Sequence, residues 1–321
     1  MAAALALARR GLGQVWPNPA VGCVLVRPGP SGGEADGEVV GRGWTQPGGR
    51  PHAETEALAR AGSAARGATA YVSLEPCAHH GRTPPCADAL IAAGIGRAVV
   101  ALEDPHPKVS GQGIARLKAA GIAVTVGVGA TEAAEINAGF LTRVREGRPL
   151  VTLKLATTLD GRIATHGGES RWITGEAARQ RAHLLRAEHD AVLIGTGTAL
   201  ADNPHLTCRL PGLEARSPVR IVLDSRLRLP LTSHLVATAQ LTPTWLVTLA
   251  GGGGAARRRA LADAGVEMIE VGADETNQIS LIEALRALAE RGLTRVLVEG
   301  GSHLAAGLLR ERLVDRISWL R

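Results

Sequence analysis

Apolar residues along this 321-residue chain follow two rhythms. Runs of strand length, bounded by Gly, Pro or charged residues, recur in the first half as AVGCVLV (20–26), GEVVGRGW (37–44), ATAYVSLEP (68–76), RAVVALED (97–104) and IAVTVGV (122–128). Between them, HAETEALARAG (52–62), CADALIAAGI (86–95) and GIARLKAAG (113–121) carry apolar positions three and four apart, which predicts amphipathic helices. The first two runs predict a hairpin, and Pro84 and Pro85 mark the entrance of the helix that starts near Cys86. One long helix is predicted over TEAAEINAGFLTRVREG (131–147), ending at Gly147 with Pro149 beyond it. That stop predicts a linker near 145–149, hence two domains, 1–146 and 147–321.

The second half restarts with a strand and turn, LVTLKLATTLDGRIA (150–164). A helix follows over 174–189, with Thr174 as the expected N-cap. AVLIGTGTAL, VRIVLD, TPTWLVTLA, GVEMIEV and RVLVEGG predict further strands, and SLIEALRALAERG and SHLAAGLLRERL predict helices. Strands alternating with helices predict an α/β architecture with a mostly parallel sheet.

Composition narrows the class. The chain is 45% hydrophobic but only 2% aromatic, so Ala, Val and Leu must build its cores. The net charge of +6 would suit an anionic partner. The arginines are scattered, however, with 257–259 the only tight run, and aromatic residues for base stacking are almost lacking. No nucleic-acid partner is expected; a phosphorylated small molecule accounts for basic pockets equally well. No run of about 18 apolar residues suggests a membrane span, and MAAALALARRG reads as a short amphipathic helix rather than a signal peptide. A cytoplasmic chain is expected, where clustered cysteines are more often metal ligands or catalytic groups than disulfides.

Two segments then stand out: RPHAETEAL (50–58) and SLEPCAHHGRTPPCADAL (73–90). His52 and Glu54 sit at one helix entrance, where both can reach one pocket. Cys77 follows a strand through Pro76, and Cys86 opens the next helix, where the helix dipole favours a thiolate. His52, Cys77 and Cys86 suit tetrahedral zinc with one position open to water, whose pKa zinc lowers to about 7. Glu54 is placed to shuttle a proton from that water to a leaving amine. H-x-E followed by P-C and a second Cys is the zinc-deaminase signature, but that signature has two residues between its cysteines. Eight lie between Cys77 and Cys86.

PCAHHGRTPPC (76–86), together with PNPAVGCVLV (17–26), closely resembles the pyrimidine deaminase domain of the bifunctional riboflavin-biosynthesis deaminase–reductases, in which the longer loop is normal. The resemblance extends over nearly the whole chain. It implies a cytidine-deaminase-like three-layer domain with zinc at His52, Cys77 and Cys86, Glu54 as catalytic proton shuttle and Asn18 against the substrate ring. It also implies that His79, His80 and Arg82 lie in a loop that meets the substrate and its phosphate, with a polar surface loop as the alternative reading. Cys23, inside an apolar strand, reads as a buried structural thiol.

The second half lacks G-x-G-x-x-G after its first strand. It carries two strand–Gly–helix junctions, LIGTGTALADNPHLTCR (193–209) and LVEGGSHLAAGLL (297–309), either of which could hold a phosphate on backbone N–H groups. With KLATTLDGRIA and GESRWITG, these resemble the reductase domain of the same family, which has a dihydrofolate-reductase-like fold. The resemblance implies NADPH contacts at Ala156, Trp172, Thr198, Asp202 and Ser225, and along Gly301, Ser302, His303, Leu304, Ala305, Ala306 and Gly307. It implies substrate contacts at Ser170, Arg186, Leu206, Arg209 and Glu299. Arg186 and Arg209 suit a ribose phosphate, which guanidinium binds in bidentate fashion. Lys154 reads either as a strand-edge lysine or as a source of charge or protons. Cys208 has no expected chemistry.

The implied reaction is deamination of a phosphorylated diaminopyrimidinone ribosylamine, then NADPH-dependent reduction of its ribose to ribityl. Family chains continue some dozens of residues past LVDRISWLR, often into a dimer contact. The resemblance therefore implies a homo-oligomer and a reductase domain truncated at its C-terminus, with RISWLR replacing the start of the next strand. Two competing readings remain: a deaminase with a non-catalytic C-terminal scaffold, and a nucleic-acid-editing zinc deaminase.

Overall fold

The computed structural model describes residues 1–29, 36–79, 84–107, 109–167 and 172–321. The chain divides into two compact units, Met1–Glu146 and Gly147–Arg321. The first unit runs α1 (Ala2–Ala8), β1 (Gly22–Arg27), β2 (Glu38–Trp44), α2 (Ala53–Ala61), β3 (Thr69–Val72), α3 (Cys86–Ala92), β4 (Arg97–Val100), α4 (Gln112–Ala119), β5 (Ala123–Val126), α5 (Ala130–Ile136) and α6 (Ala138–Glu146). Its sheet has the order β2-β1-β3-β4-β5. The β1–β2 hairpin is antiparallel and pairs Cys23 with Gly43. β1 is also antiparallel to β3, whereas β3, β4 and β5 run parallel.

Gly22–Leu25 of β1 are all buried, as a strand covered on both faces must be. One core gathers Cys23, Leu25, Val72, Leu90, Leu117 and Phe140, and a smaller one gathers Leu5, Ala8, Ala133 and Ile136. α2 lies unusually close to β2. A Cβ at Gly41 would stand 2.3 Å from Ala57 O, and one at Gly43 would stand 2.1 Å from Ala53 O. Only glycine at these strand positions lets the helix backbone rest directly on the sheet. This contact fixes the first turn of α2, where Glu54 lies.

The long helix expected over 131–147 is two helices. They meet at Asn137, a buried residue whose Oδ1 accepts from Ala20 N at 2.9 Å and whose Nδ2 donates to Ala133 O. The side-chain amide holds the segment that leads into β1, and the helix yields at that residue.

The second unit comprises β6 (Leu150–Ala156), α7 (Glu176–Ala187), β7 (Ala191–Gly195), α8 (Thr196–Asp202), β8 (Val219–Leu223), α9 (His234–Ala237), β9 (Thr244–Leu249), α10 (Ala255–Asp263), β10 (Glu267–Val271), α11 (Leu281–Glu290), β11 (Arg295–Val298), α12 (Ser302–Arg310) and β12 (Arg316–Leu320). Seven strands in the order β10-β9-β8-β7-β11-β6-β12 form a parallel sheet. RISWL is thus a fully formed strand paired with β6, not the replacement of one, and its Trp319 Nε1 donates to Thr157 Oγ1 at 2.7 Å. Arg148 braces the approach to it through a bidentate pair with Asp315 at 2.7 and 2.8 Å.

Thr174 is not an N-cap. Gly175, in an extended conformation, takes that position for α7, and the Thr174 carbonyl oxygen just before it accepts from Arg179 NH1 at 2.9 Å. The arginine run at 257–259 is largely structural. Arg257 donates to the Leu227 and Leu229 carbonyls, and Arg258 to Gly252 O and to Glu270.

Candidate functional site

In the first unit a cavity of about 290 Å³ is lined by described residues from five separated stretches of chain. Asn18 comes from the loop before β1. His52 is the N-cap of α2, and Glu54 lies in that helix's first turn. Cys77 follows β3, and His106 lies in the loop after β4. Cys86 is the first residue of α3. The donor atoms of His52, Cys77 and Cys86 all lie within 4.8 Å of one another. His52 Nδ1 is 3.3 Å from Cys86 Sγ and 3.7 Å from Cys77 Sγ. Tetrahedral zinc, with bonds of about 2.3 Å to sulfur and 2.0 Å to nitrogen, sets such atoms roughly 3.5 Å apart, so the cage has the size of the ion.

The electrostatics agree. The hydrogen bond from Cys86, helped by His52, holds the Cys77 thiol down at about 4. The neighbouring Cys77 and burial push the Cys86 thiol upward. Two thiols and an imidazole this close want a divalent cation with soft-ligand affinity between them. Glu54 is buried, and burial pushes its carboxyl up to about 7 despite the opposing pull of His52. A carboxyl poised there can both accept and release a proton. Cys23 is fully buried and burial raises its thiol, so it stays protonated and structural.

Asn18 and His79 line the same cavity. His80 and Arg82 lie outside the described residues. Sequence reasoning missed Arg50, Glu75, Asp104, His106 and Arg143, which also line it. A signal existed for Asp104 and His106. They follow the carboxyl end of a parallel strand, where open α/β sheets place their binding loops. For half-buried Arg143, on α6, nothing local in the sequence distinguishes it from the chain's other arginines.

The second unit holds a cleft of about 800 Å³, large enough for a dinucleotide and a small substrate. Ala156, Trp172, Thr198, Asp202, Leu206, Arg209 and Lys154 line it, as do Arg186 and Glu299. Ser170 lies outside the described residues. Ser225, His303, Leu304 and Gly307 are not among the lining residues. The reason for the last three is helical geometry. On α12 the cleft is met by Ser302, Ala305, Ala306 and Leu309, spaced three and four apart, with Gly301 just before the helix. Leu304 is buried away from it, and a Cβ at Gly307 would face Leu281. Ser225 directs its carbonyl oxygen to Thr248 Oγ1 at the next strand.

Arg186 and Glu299 are bonded to each other, Nε to Oε1 at 2.5 Å and NH2 to Oε2 at 3.0 Å, while Arg186 NH1 donates to Thr207 O at 2.9 Å. Burial opposes charge on Glu299, but Arg186 and then Lys154 outweigh it and hold the carboxyl below its ordinary value. The fork expected to grip a phosphate is thus already spent on a carboxylate. Sequence reasoning also missed His205. Its ring stacks on His234 at 4.0 Å, and His234 Nδ1 bonds to Asn203 O at 2.8 Å, so the wall from Asn203 to Leu206 is braced from α9.

A zinc-type deaminase cage in one α/β unit and a large cofactor-sized cleft in the other define a two-domain deaminase–reductase. Residues 1–102 match the cytidine and deoxycytidylate deaminase zinc-binding region, and residues 149–320 match the RibD C-terminal domain. The chain is 44% identical to the riboflavin biosynthesis protein RibD of Bacillus amyloliquefaciens over 99% of its own length and 82% of the relative's. It is 43% identical to RibD of Escherichia coli K12, covering 99% and 85%. A structure of Acinetobacter baumannii RibD superposes with a TM-score of 0.85 at 41% identity, covering 98% of this chain and 83% of that one. A Thermotoga maritima diaminohydroxyphosphoribosylaminopyrimidine deaminase/5-amino-6-(5-phosphoribosylamino)uracil reductase gives 0.82 at 38% identity, covering 98% and 83%. The chain belongs to the RibD family of bifunctional riboflavin biosynthesis enzymes.

Proposed function

We propose that the first unit hydrolytically deaminates 2,5-diamino-6-(5-phosphoribosylamino)pyrimidin-4(3H)-one to 5-amino-6-(5-phosphoribosylamino)uracil, and that the second reduces the product's ribosyl group to ribityl. The observation that carries this reading is the convergence of His52, Cys77 and Cys86 on one ion-sized cage, with buried Glu54 in the same cavity. His52, Cys77 and Cys86 would hold zinc, which supplies a Lewis acid and makes hydroxide accessible near neutral pH. Glu54 takes the proton of the attacking water and returns it to the departing amine. One water is consumed, one ammonia leaves, and the exocyclic C–N bond is replaced by a carbonyl. Asn18 lies in the cavity wall where the ring amide edge would rest.

In the second unit NADPH supplies the hydride. Ala156, Thr198, Asp202, Gly301, Ser302, Ala305 and Ala306 surround the volume the dinucleotide would fill, with Trp172 at its rim. The Ser302–Ala306 turn is small enough for close approach of a pyrophosphate to a helix N-terminus. Arg209, whose guanidinium is not tied to Glu299, meets the substrate phosphate, and Arg186 acts by orienting Glu299. The enzyme works in the cytoplasm as a homo-oligomer on a small phosphorylated pyrimidine. Among the described residues no helix is long and apolar enough to cross a membrane.

The test is a coupled assay on the purified chain with the diaminopyrimidinone ribosylamine phosphate, following ammonia release and NADPH oxidation together. Both signals are expected. Ammonia without NADPH oxidation would reduce the second unit to a scaffold, and neither signal would overturn the reading.

A further inference from the structure

Glu75 is a buried acidic residue that the deamination chemistry above does not use. It lies two residues before Cys77 and lines the same cavity. Its carboxylate accepts four backbone hydrogen bonds, from Asp104 N at 3.2 Å, Gly111 N at 3.0 Å, Gly113 N at 2.8 Å and Ile114 N at 3.1 Å. Gly111 is the N-cap of α4, and Gly113 and Ile114 lie in that helix's first turn. A helix start leaves its first N–H groups without intrahelical acceptors. Here a side chain from another stretch of chain accepts them, and its charge is favoured by the helix dipole.

The same carboxylate reaches across to Asp104 N and so closes both ends of the loop from Asp104 to Gly111. His106 N donates to Asp104 Oδ1, and Val109 N and Ser110 N to His106 O. Asp104, His106 and Val109, all from this loop, form a wall of the cavity that contains His52, Glu54 and Cys77. A second contact locks the junction. A Cβ at Gly113 would stand 1.9 Å from Pro76 O, so α4 begins directly against the residue between Glu75 and Cys77.

We infer that Glu75 is a positioning residue for deamination: it clamps the Asp104–Gly111 loop to the segment that carries Cys77, and so fixes the substrate-facing wall relative to the metal cage. The inference rests on the deaminase reading above. Glu75 is not one of the cage residues, and its carboxylate oxygens are engaged by four backbone N–H groups, so it acts through Asp104 and His106. A clamp between two parts of one site governs how the bound ring is held, so its loss falls on substrate binding more than on the chemical step.

Glu75→Gln tests this, since one amide oxygen cannot replace four accepted bonds and the amide N–H₂ meets N–H donors. In the full chain the variant is expected to keep one zinc per chain and unchanged NADPH oxidation with the deaminated substrate. Its deaminase KM should rise by about tenfold or more while kcat changes by less than about threefold. Asp104→Asn should raise KM as well, and the double variant should fall short of the product of the two effects, as residues acting through one contact do. Unchanged KM in Glu75→Gln, loss of zinc, or fully multiplicative effects with Asp104→Asn would each overturn the inference. Gly113→Ala gives an independent arm: with Glu75 intact it should shift KM in the same direction, and a normal KM in folded protein would count against the clamp. Wild-type protein that released no ammonia would instead sink the deaminase reading itself.

Discussion

Glu54 is a carboxyl in a place where a carboxylate is expensive. It is 3% exposed, and burial is the largest influence on its pKa. Its neighbours are two thiols and an imidazole, so the proposed role of proton carrier requires it to stay close to the metal cage without entering it. Glu54→Gln preserves shape and removes the transferable proton. Ammonia release should fall by about 10²–10⁴-fold, the range of general acid–base catalysis, with zinc stoichiometry unchanged. If zinc is lost too, Glu54 is a ligand or a support for one, and its proposed role is wrong. Metal analysis beside the rate assay separates the two outcomes.

At the scale of elements, the second unit relies on buried polar anchors that no periodicity announces. Arg220 on β8 is fully buried, and burial pulls its guanidinium down to about 10, which leaves it charged at neutral pH. It donates to the carbonyls of Leu235, Thr238 and Thr242, and to Thr238 Oγ1, pinning α9 and the turn that leads into β9. Arg220→Met removes the donors and leaves several buried carbonyls unpaired, each worth about 1–3 kcal/mol. Urea unfolding of the full chain should show the second unit weakened by about 3 kcal/mol or more, and a loss below about 1 kcal/mol would refute the anchor. Arg220→Lys should restore only part, because three donors on a point charge cannot span the same carbonyls.

His189 is a second such anchor. It is buried between Leu185 O at 2.6 Å and Thr152 Oγ1 at 2.9 Å, and burial, aided by Arg295, holds its pKa down at about 3. The unfolded chain binds the proton from about 6.5 downward, whereas the folded one does not until about 3. Stability is therefore full above about 6.5 and is lost as the pH falls toward 3, by about 1.4 kcal/mol per pH unit. Comparing wild type with His189→Gln isolates this residue. Equal pH slopes for the two proteins between pH 4 and 6 would mean that His189 is not held neutral.

These anchors also mark where sequence reading stops. The convergence of His52, Glu54, Cys77 and Cys86 was legible because it is tied to short spacings at two helix entrances and a strand end. The strand and helix order was legible from apolar rhythm. The break at Asn137 was not, since it depends on an amide reaching Ala20, 117 residues away along the chain. The engagement of Arg186 by Glu299 likewise joins residues 113 apart. Both residues line the cleft as expected, but only their geometry shows that the guanidinium is taken. Within α12, a contiguous run from Gly301 to Gly307 suggested continuous contact, and the helical turn sends His303, Leu304 and Gly307 elsewhere.

For the whole molecule, the two sites belong to separate compact units with separate cores, so they should fail separately. A chelator strong enough to strip zinc from one imidazole and two thiolates should abolish ammonia release. NADPH oxidation should persist when the deaminated intermediate is supplied directly, because none of the described residues lining the second cleft belongs to the metal cage. Added zinc should restore the first activity alone. The converse lesion is Asp202→Ala, at the end of α8 and on the cleft wall. It should weaken NADPH binding and reduction while leaving deamination and zinc content at wild-type levels. NADPH titration and ammonia release measured on the same preparation decide the matter. Equal damage to both activities from either lesion would mean that the units are coupled in catalysis, and that each site cannot be understood from its own residues.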